Sequence, residues 1–224
     1  MNNTTIKIKN LSFFYDMKKQ VFDNFSCEIP CNQLTLLMGK NGSGKSTLFN
    51  VMQGLDLCVE RQEEQFSGTI SYGHQIFDLY TKAYRQFAYD HVRVVPQNFD
   101  RLLAPHLTLQ ENLACAQLSI FRSLFGCVKE KPVPAFIADF DIPLSNPVGT
   151  FSGGQRQILA ILMALAKPTT LLLLDEPTAT LDPENSAMVM QFLQNLLKKQ
   201  KGLTIFMICH DVDLVRYTKS IICI

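Results

Sequence analysis

Residues 34–50 read "LTLLMGKNGSGKSTLFN", and three textures follow one another in that stretch. "LTLLMG" (34–39) is a short apolar run that stops at a glycine, the pattern of a buried strand. "GKNGSGKST" (39–47) is glycine-rich and matches G-x-x-x-x-G-K-[ST]. "KSTLFNVMQGL" (45–55) then takes helical spacing. The unit is strand, glycine-rich loop, helix.

That order has a chemical meaning. Gly39, Gly42 and Gly44 let backbone N–H groups converge on phosphate oxygens with no side chain in the way. Lys45 supplies a positive charge for the β- and γ-phosphates, and the Ser46 hydroxyl is a ligand for Mg²⁺. The following helix points its N-terminus at the anion.

Outward from this unit the chain repeats the same grammar. "TLLLLDE" (170–176) and "LTIFMICHD" (203–211) are further apolar strands, each with polar residues at its C-terminal end. Open α/β sheets bind ligands at that end. Asp175 is therefore placed to hold Mg²⁺. Glu176 is placed to activate a water as general base. His210 stands at the same edge, and Gln97 follows the strand "VRVV" (92–95). Asp182-Pro183-Glu184 opens a helix with a cap residue and a proline in its first turn. Val189, Phe192, Leu193, Leu196 and Leu197 form its buried stripe. Apolar strands alternating with helices indicate a parallel α/β sheet.

The segment from about 102 to 166 breaks the alternation and reads as helical. Thr108 and Glu111 have the spacing of a capping box. Prolines in "KEKPVPAF" (129–136) and "DIPLSNP" (141–147) mark loops. "GGQRQILAILMALA" (153–166) is a helix apolar on most sides. The 1–35 segment is strand-rich, and "SGTISYG" (67–73) is another strand.

Composition bounds the function classes. The chain has 224 residues, 47 % apolar and 18 % charged, with a net charge of +1. The basic residues are scattered, with doublets only at Lys18-Lys19 and Lys198-Lys199, so no electrostatic footprint for nucleic acid is present. Seven cysteines (27, 31, 58, 115, 127, 209 and 223) form no C-x-x-C pair, which reads as buried thiols in a reducing compartment. The N-terminus carries no signal-peptide pattern, and no apolar run reaches the ~18 residues that span a bilayer. A cytoplasmic chain is expected, reaching a membrane only through a partner.

One stretch is surplus to this picture. "TFSGGQRQ" (150–157) offers a second serine-glycine turn at a helix N-terminus, with no nucleotide of its own to hold. The answer comes with a resemblance. Nearly the whole chain resembles the nucleotide-binding domain of ATP-binding-cassette (ABC) transporters. "GKNGSGKST" is similar to Walker A, "VVPQ" (94–97) to the Q-loop, "FSGGQ" (151–155) to the family signature and "LLLLDEP" (171–177) to Walker B. "ATLD" (179–182) is similar to the D-loop, and "ICHD" (208–211) to the switch histidine.

The resemblance implies a P-loop NTPase core with a mainly parallel sheet, an N-terminal antiparallel β subdomain and an inserted helical subdomain. The core would be 1–101 and 167–224, and the insertion about 102–166. It implies ATP and Mg²⁺ as ligands, with Glu176, His210, Gln97 and Lys45 catalytic and Ser46, Gln97 and Asp175 around the metal. Nucleotide contacts would come from Tyr15, stacked on adenine, from Gly39, Lys40, Asn41, Gly42, Ser43, Gly44, Lys45, Ser46 and Thr47, and from Asp175. Ser152, Gly153, Gly154, Gln155 and Asp182 would act across a head-to-tail dimer, on the nucleotide of a second copy or a paralogue. Phe151 departs from the leucine that usually opens the signature, which implies a change of packing.

Two classes of ABC protein then compete. A transporter subunit would dock on transmembrane permease chains at the inner face of the membrane, in concert with a substrate-binding protein. "APHLTLQENLA" (104–114) is similar to the importer pattern, with Phe99 to Leu107 near the permease. An exporter ATPase of lipid or haem type is the alternative within that class. A soluble mechanical ATPase of DNA repair or translation would bring a second cassette, a coiled coil or basic charge. A small P-loop kinase would leave "SGGQ" and His210 unexplained.

Overall fold

The computed structural model describes residues 5–16, 19–55, 66–117, 134–140 and 142–224. Cys58, Cys127, Lys18 and most of the proline-marked loop at 129–136 lie outside them.

The chain begins as an antiparallel ribbon, strands β1 (Thr5–Asp16) and β2 (Lys19–Pro30). In β1 the buried side chains are Ile6 and Ile8, then Leu11 and Phe13. Alternation by two would have exposed 11 and 13. The register shifts between Ile8 and Leu11, where Asn10 takes a left-handed backbone with φ 53°. One extra residue is absorbed there as a bulge, and the apolar face resumes on the same side. Phe13 is fully buried, edge-on to both Tyr15 and Phe66.

Strand β3 (Leu34–Met38) enters a different sheet and leads through the glycine-rich loop into helix α1 (Lys45–Met52). Strands β4 (Phe66–Tyr72) and β5 (Gln75–Asp78) return to the antiparallel sheet, whose order is β2-β1-β4-β5. Helix α2 (Lys82–His91) and strand β6 (Val92–Val95) follow. Helices α3 (Leu109–Gln117) and α4 (Gly153–Ala164), with short 3₁₀ turns at Phe99–Leu102, Ala135–Phe140 and Val148–Thr150, occupy the segment read as helical. The chain finishes with β7 (Leu171–Asp175), helix α5 (Pro183–Lys199), β8 (Thr204–Ile208) and β9 (Ser220–Cys223).

The second sheet has the order β6-β7-β8-β3-β9, every pairing parallel. Its central strands are apolar but for the buried Thr35 and Thr204 and the terminal Asp175, because both faces are covered. Leu36, Leu172, Leu174, Ile205 and Met207 pack on one side with α4 and α5. Leu37, Leu171, Leu173, Phe206 and Ile208 pack on the other with α1 and the antiparallel sheet. Each leucine of "LLLL" thus belongs to one of two cores, chosen by parity. The α5 stripe follows the same logic: Val189, Phe192, Leu193 and Leu196 are buried, joined by Met190, while Leu197 is half-buried.

The sequence reading passed over β5 and α2. Helix α2 fully buries only Tyr84 and Ala88, with Phe87 packed beside them, and is otherwise polar; Thr81 caps it by accepting from the Tyr84 N–H. The Tyr84 hydroxyl donates to the Met52 carbonyl and ties α2 to the end of α1. Among the described residues no helix is long and apolar enough to cross a membrane.

Leu173→Ala should cost about 2–5 kcal/mol, because the cavity opens under a strand with neighbours on both sides. Ile221→Ala, at a position 42 % exposed, should cost less than about 0.5 kcal/mol. Urea unfolding of the two variants checks the contrast.

Candidate functional site

Four adjacent strands of the parallel sheet, β6, β7, β8 and β3, end on the same edge. The residue following each end is Pro96 before Gln97, Glu176, Cys209 before His210, and Gly39. Parallel pairing is what brings residues 97, 176 and 210 together from distant parts of the chain.

Glu176 is the meeting point. Its Oε2 accepts from Gln97 Nε2 at 3.1 Å, and its Oε1 lies 2.9 Å from His210 Nε2. A carboxylate only accepts, so the histidine nitrogen is the donor. Glu176 leaves β7 with φ 47°; the other non-glycine positions with positive φ among the described residues are all asparagines. A left-handed glutamate costs about 1–2 kcal/mol. The conformation turns the side chain out of the strand's alternation, toward the two partners, and strain of this kind gathers at functional sites. Strand alternation would also separate Glu176 from Asp175, but Glu176 lies beyond β7 and its left-handed backbone sets its direction.

The glycine-rich loop lies opposite. Lys45 is 6 % exposed, and its ammonium donates to the carbonyls of Gly39 (3.0 Å) and Lys40 (2.9 Å). Gly44 caps α1 with φ 102° and no side-chain hydrogen bond, so the helix's first N–H groups have no capping acceptor. A Cβ there would come within 2.8 Å of Val21 and 2.9 Å of the Phe22 ring, so glycine is required by space as well as by φ. The Ser43 hydroxyl is buried with no partner. Together these are uncapped N–H donors, a cation and an orphaned hydroxyl, the chemistry that an anionic ligand would satisfy.

Tyr15, Asn41, Gly42, Gly44, Lys45, Ser46, Thr47, Glu176 and His210 line one open cleft of about 330 Å³. Tyr15 is at its rim, 43 % exposed, its hydroxyl 2.8 Å from Thr47 Oγ1. Asp175 is half-buried. Burial and then the neighbouring Glu176 raise its pKa above the ordinary carboxylate value, with Lys45 and His210 opposing. Ser46 and Asp175 are hard oxygen donors, and Gln97, with Nε2 spent on Glu176, keeps its amide oxygen in reserve. That set fits Mg²⁺, which is bound by few protein oxygens and completed by phosphate and water. Among the described residues no cluster of three or more His, Cys, Asp or Glu side chains could hold a metal by itself.

Ser152, Gly153, Gly154, Gln155 and Asp182 do not line this cleft. Ser152 caps α4 in a complete capping box with Gln155. A serine-glycine turn at a helix N-terminus would by itself leave free N–H groups for an anion. Here the Gly154 N–H donates to Asn185 Oδ1 and the Gln155 N–H to Ser152 Oγ. Phe151 is buried in the core beside α4, a packing role.

Three residues of this region escaped sequence reasoning. Asn112 is fully buried and holds the 104–108 loop through Ala104, Leu107 and Thr108. Arg156 pairs with Asp100 at 3.0 Å and donates to the Phe151 carbonyl, which joins α4 to the turn after Gln97. Asn185 joins Asp182 to Ser152. The single charge in a helix without another was the available signal for Arg156; for the two asparagines, spacing from a cap residue was the only one.

The family description "ABC transporter" matches residues 22–179. A phosphonates import ATP-binding protein, PhnC 2 of Synechococcus sp., is 32 % identical over 225 residues, covering 94 % of this chain and 78 % of that protein. A macrolide export ATP-binding/permease protein, MacB of Haemophilus ducreyi, is 29 % identical over 229 residues; the match covers 100 % of this chain but only 31 % of that protein. In structure, the chain is similar to the dimeric ABC transporter cassette MJ0796, known by sequence from Methanocaldococcus jannaschii, with TM-score 0.68 and 26 % identity over 98 % of this chain and 94 % of that one. The same cassette has been solved as a post-hydrolysis dimer bound to ADP and Pi, at TM-score 0.68 and 25 % identity over the same 98 % and 94 %.

Asp175→Asn should raise the ligand-free melting temperature at pH 7–8. A carboxyl whose folded pKa is raised is penalised while charged, so the penalty is present above the folded pKa. It vanishes once pH falls below the unfolded value of about 3.9. The gain in melting temperature should therefore shrink toward zero in acid, as thermal scans across pH would record.

Proposed function

The chain belongs to the ABC transporter family, and from that premise we propose that it is the ATP-hydrolysing subunit of a membrane transporter. The observation that carries the reading is Glu176 held between Gln97 and His210 on the edge where the Lys45 loop begins.

In this reading ATP lies in the cleft with its phosphates on the loop. The Lys45 ammonium exchanges its bonds to Gly39 and Lys40 for β- and γ-phosphate oxygens. Backbone N–H groups of residues 39–47 and the Ser43 hydroxyl complete the cradle, and Tyr15 supports the base. Ser46, Asp175 and the Gln97 amide oxygen would hold Mg²⁺, which supplies charge neutralisation at the phosphates when bound. Glu176 accepts the proton of the attacking water. His210 orients that carboxylate and shields its charge, and Gln97 fixes its other oxygen.

Ser152, Gly153, Gly154 and Gln155, with Asp182, act on the nucleotide of a second chain. A two-fold, head-to-tail pairing meets each loop with the other's "SGGQ" once per site. The dimeric state of the similar cassette MJ0796 supports this part, and its ADP- and Pi-bound form supports hydrolysis. ATP then joins the two chains, and its hydrolysis releases them.

Transmembrane permease chains are the second partner, with attachment at the cytoplasmic face. Within the expected Phe99–Leu107 stretch Phe99 is buried, while 101–106 is exposed or partly so, with Leu102 44 % exposed, and is the proposed docking surface. Import is the proposed direction, supported by the "APHLTLQENLA" pattern and by PhnC 2, with a substrate-binding protein in the same system. MacB is named for export, so export by a related arrangement is the competing reading. Purification of the chain from native membranes separates the possibilities. Co-purification with a permease supports the transporter, whereas recovery with ribosomes or nucleic acid alone overturns it.

Glu176→Gln should still bind ATP yet lose about 10²–10⁴-fold in turnover, the range for removing a general base. Hydrolysis at the wild-type rate in a phosphate-release assay would reassign the base.

A further inference from the structure

We propose that Asn185 is a positioning residue that occupies the donors of the second glycine-rich turn and must yield them before that turn can grip a phosphate. The proposal rests on the two-chain reading above and deepens it.

Asn185 is the third residue of α5. Its backbone N–H donates to Asp182 Oδ1 at 2.8 Å, and its Nδ2 donates to Asp182 Oδ2 at 2.6 Å. Those two bonds hold the Asp182 carboxyl below its ordinary pKa, so it stays charged and only accepts. The amide nitrogen must therefore face Asp182, and Oδ1 must face away. Oδ1 accepts from Ser152 Oγ at 2.9 Å and from the Gly154 N–H at 3.2 Å. The Gly154 N–H demands the same amide orientation independently.

A serine hydroxyl has one proton, and here it is spent on Asn185. The other side of Ser152 Oγ accepts from the Gln155 N–H at 3.2 Å. What Ser152 has left to present outward is a lone pair, which repels a phosphate oxygen. The Asn185 oxygen thus fills the place of an anion's oxygen on Ser152 and Gly154. Contact is close: a Cβ at Gly154 would meet Asn185 Oδ1 at 2.6 Å, and one at Gly153 would meet Leu181 at 2.8 Å. Gripping a phosphate requires the Ser152 O–H to swing off Asn185 and the Gly154 N–H to exchange partners. Asn185 remains tied to Asp182, six residues beyond Glu176. Engagement of the turn is thereby reported to the segment that follows the base.

The test uses the full chain carrying Glu176→Gln, titrated with Mg-ATP, with dimer read by light scattering. A fluorescent ATP analogue reads binding to the monomer at chain concentrations too low for pairing. Adding Asn185→Ala frees the donors. It should lower the ATP needed for half-maximal dimer by about two- to tenfold, one exchanged hydrogen bond's worth, with monomer binding unchanged. Adding Asn185→Asp keeps the acceptor, strengthens it with charge and repels phosphate, so the ATP requirement should rise by a similar factor or more. A carboxylate in the first turn of a helix suits its dipole, so this variant tests the proposal even where the alanine variant folds poorly. Opposite shifts support the latch. A rise for both, as a merely structural asparagine would give, or no shift in either, overturns it. No dimer at saturating ATP with Asn185 intact would instead overturn the two-chain reading itself.

Discussion

Parallel hydrogen bonding across β6, β7, β8 and β3 is the constraint on which the rest depends. Parallel neighbours end on one edge, so Gln97, Glu176, His210 and the Gly39 loop arrive together although 171 positions separate the first glycine of the loop from the histidine. A parallel sheet must be covered on both faces, which requires strands apolar at nearly every position and cover on either side. "LLLL" at 171–174 meets that demand, two leucines to each core. The edge is rigid because what lies beneath it is packed twice over. That packing is what can hold Glu176 at φ 47°, with Gln97 on one oxygen and His210 on the other.

The two glycine-rich turns differ in how their donors are satisfied. The first leaves α1 uncapped and Ser43 without a partner, and only the lysine turns inward, onto its own loop carbonyls. Such a turn is waiting for an external anion. The second is capped by Ser152, boxed by Gln155 and bonded to Asn185. It is complete without a ligand. A turn that is satisfied alone binds an anion only by exchange, and an exchange can be reversed cheaply. This asymmetry suits one turn that keeps its nucleotide and another that takes and releases it.

Much of this was legible in the sequence, for reasons that can be named. The apolar strands, the G-x-x-x-x-G-K-[ST] loop and the acid pair at 175–176 announce themselves because burial on both faces and phosphate binding each tolerate few residue types. The caps at Thr108 and Asp182 are legible because capping is local. Helix α2 was not, since a helix with two fully buried residues in ten is polar enough to pass for a loop between strands. Nor was the bulge at Asn10, where the pattern 6, 8, 11, 13 resembles neither period until the register shift is known. The left-handed turn at Glu176 is set by partners 79 and 34 positions away, which no window of sequence contains.

The same distinction explains why the asparagines were missed. Asn112 and Asn185 touch no ligand-binding cleft; Asn112 sits inside the 104–114 pattern without having been singled out, and Asn185 belongs to no motif. Each is an amide with donors on one side and an acceptor on the other, so each can join two backbone segments that both need a partner. Asn112 closes the loop at 104–108, where a permease is proposed to dock. Asn185 joins the start of α5 to the start of α4, between the base's segment and the second turn. Arg156 completes the set by holding α4 to the turn after Gln97. Three polar side chains therefore tie together the segments around the proposed site. Their value lies in bonds that can be exchanged, whereas the leucines beneath them cannot be moved without opening a cavity.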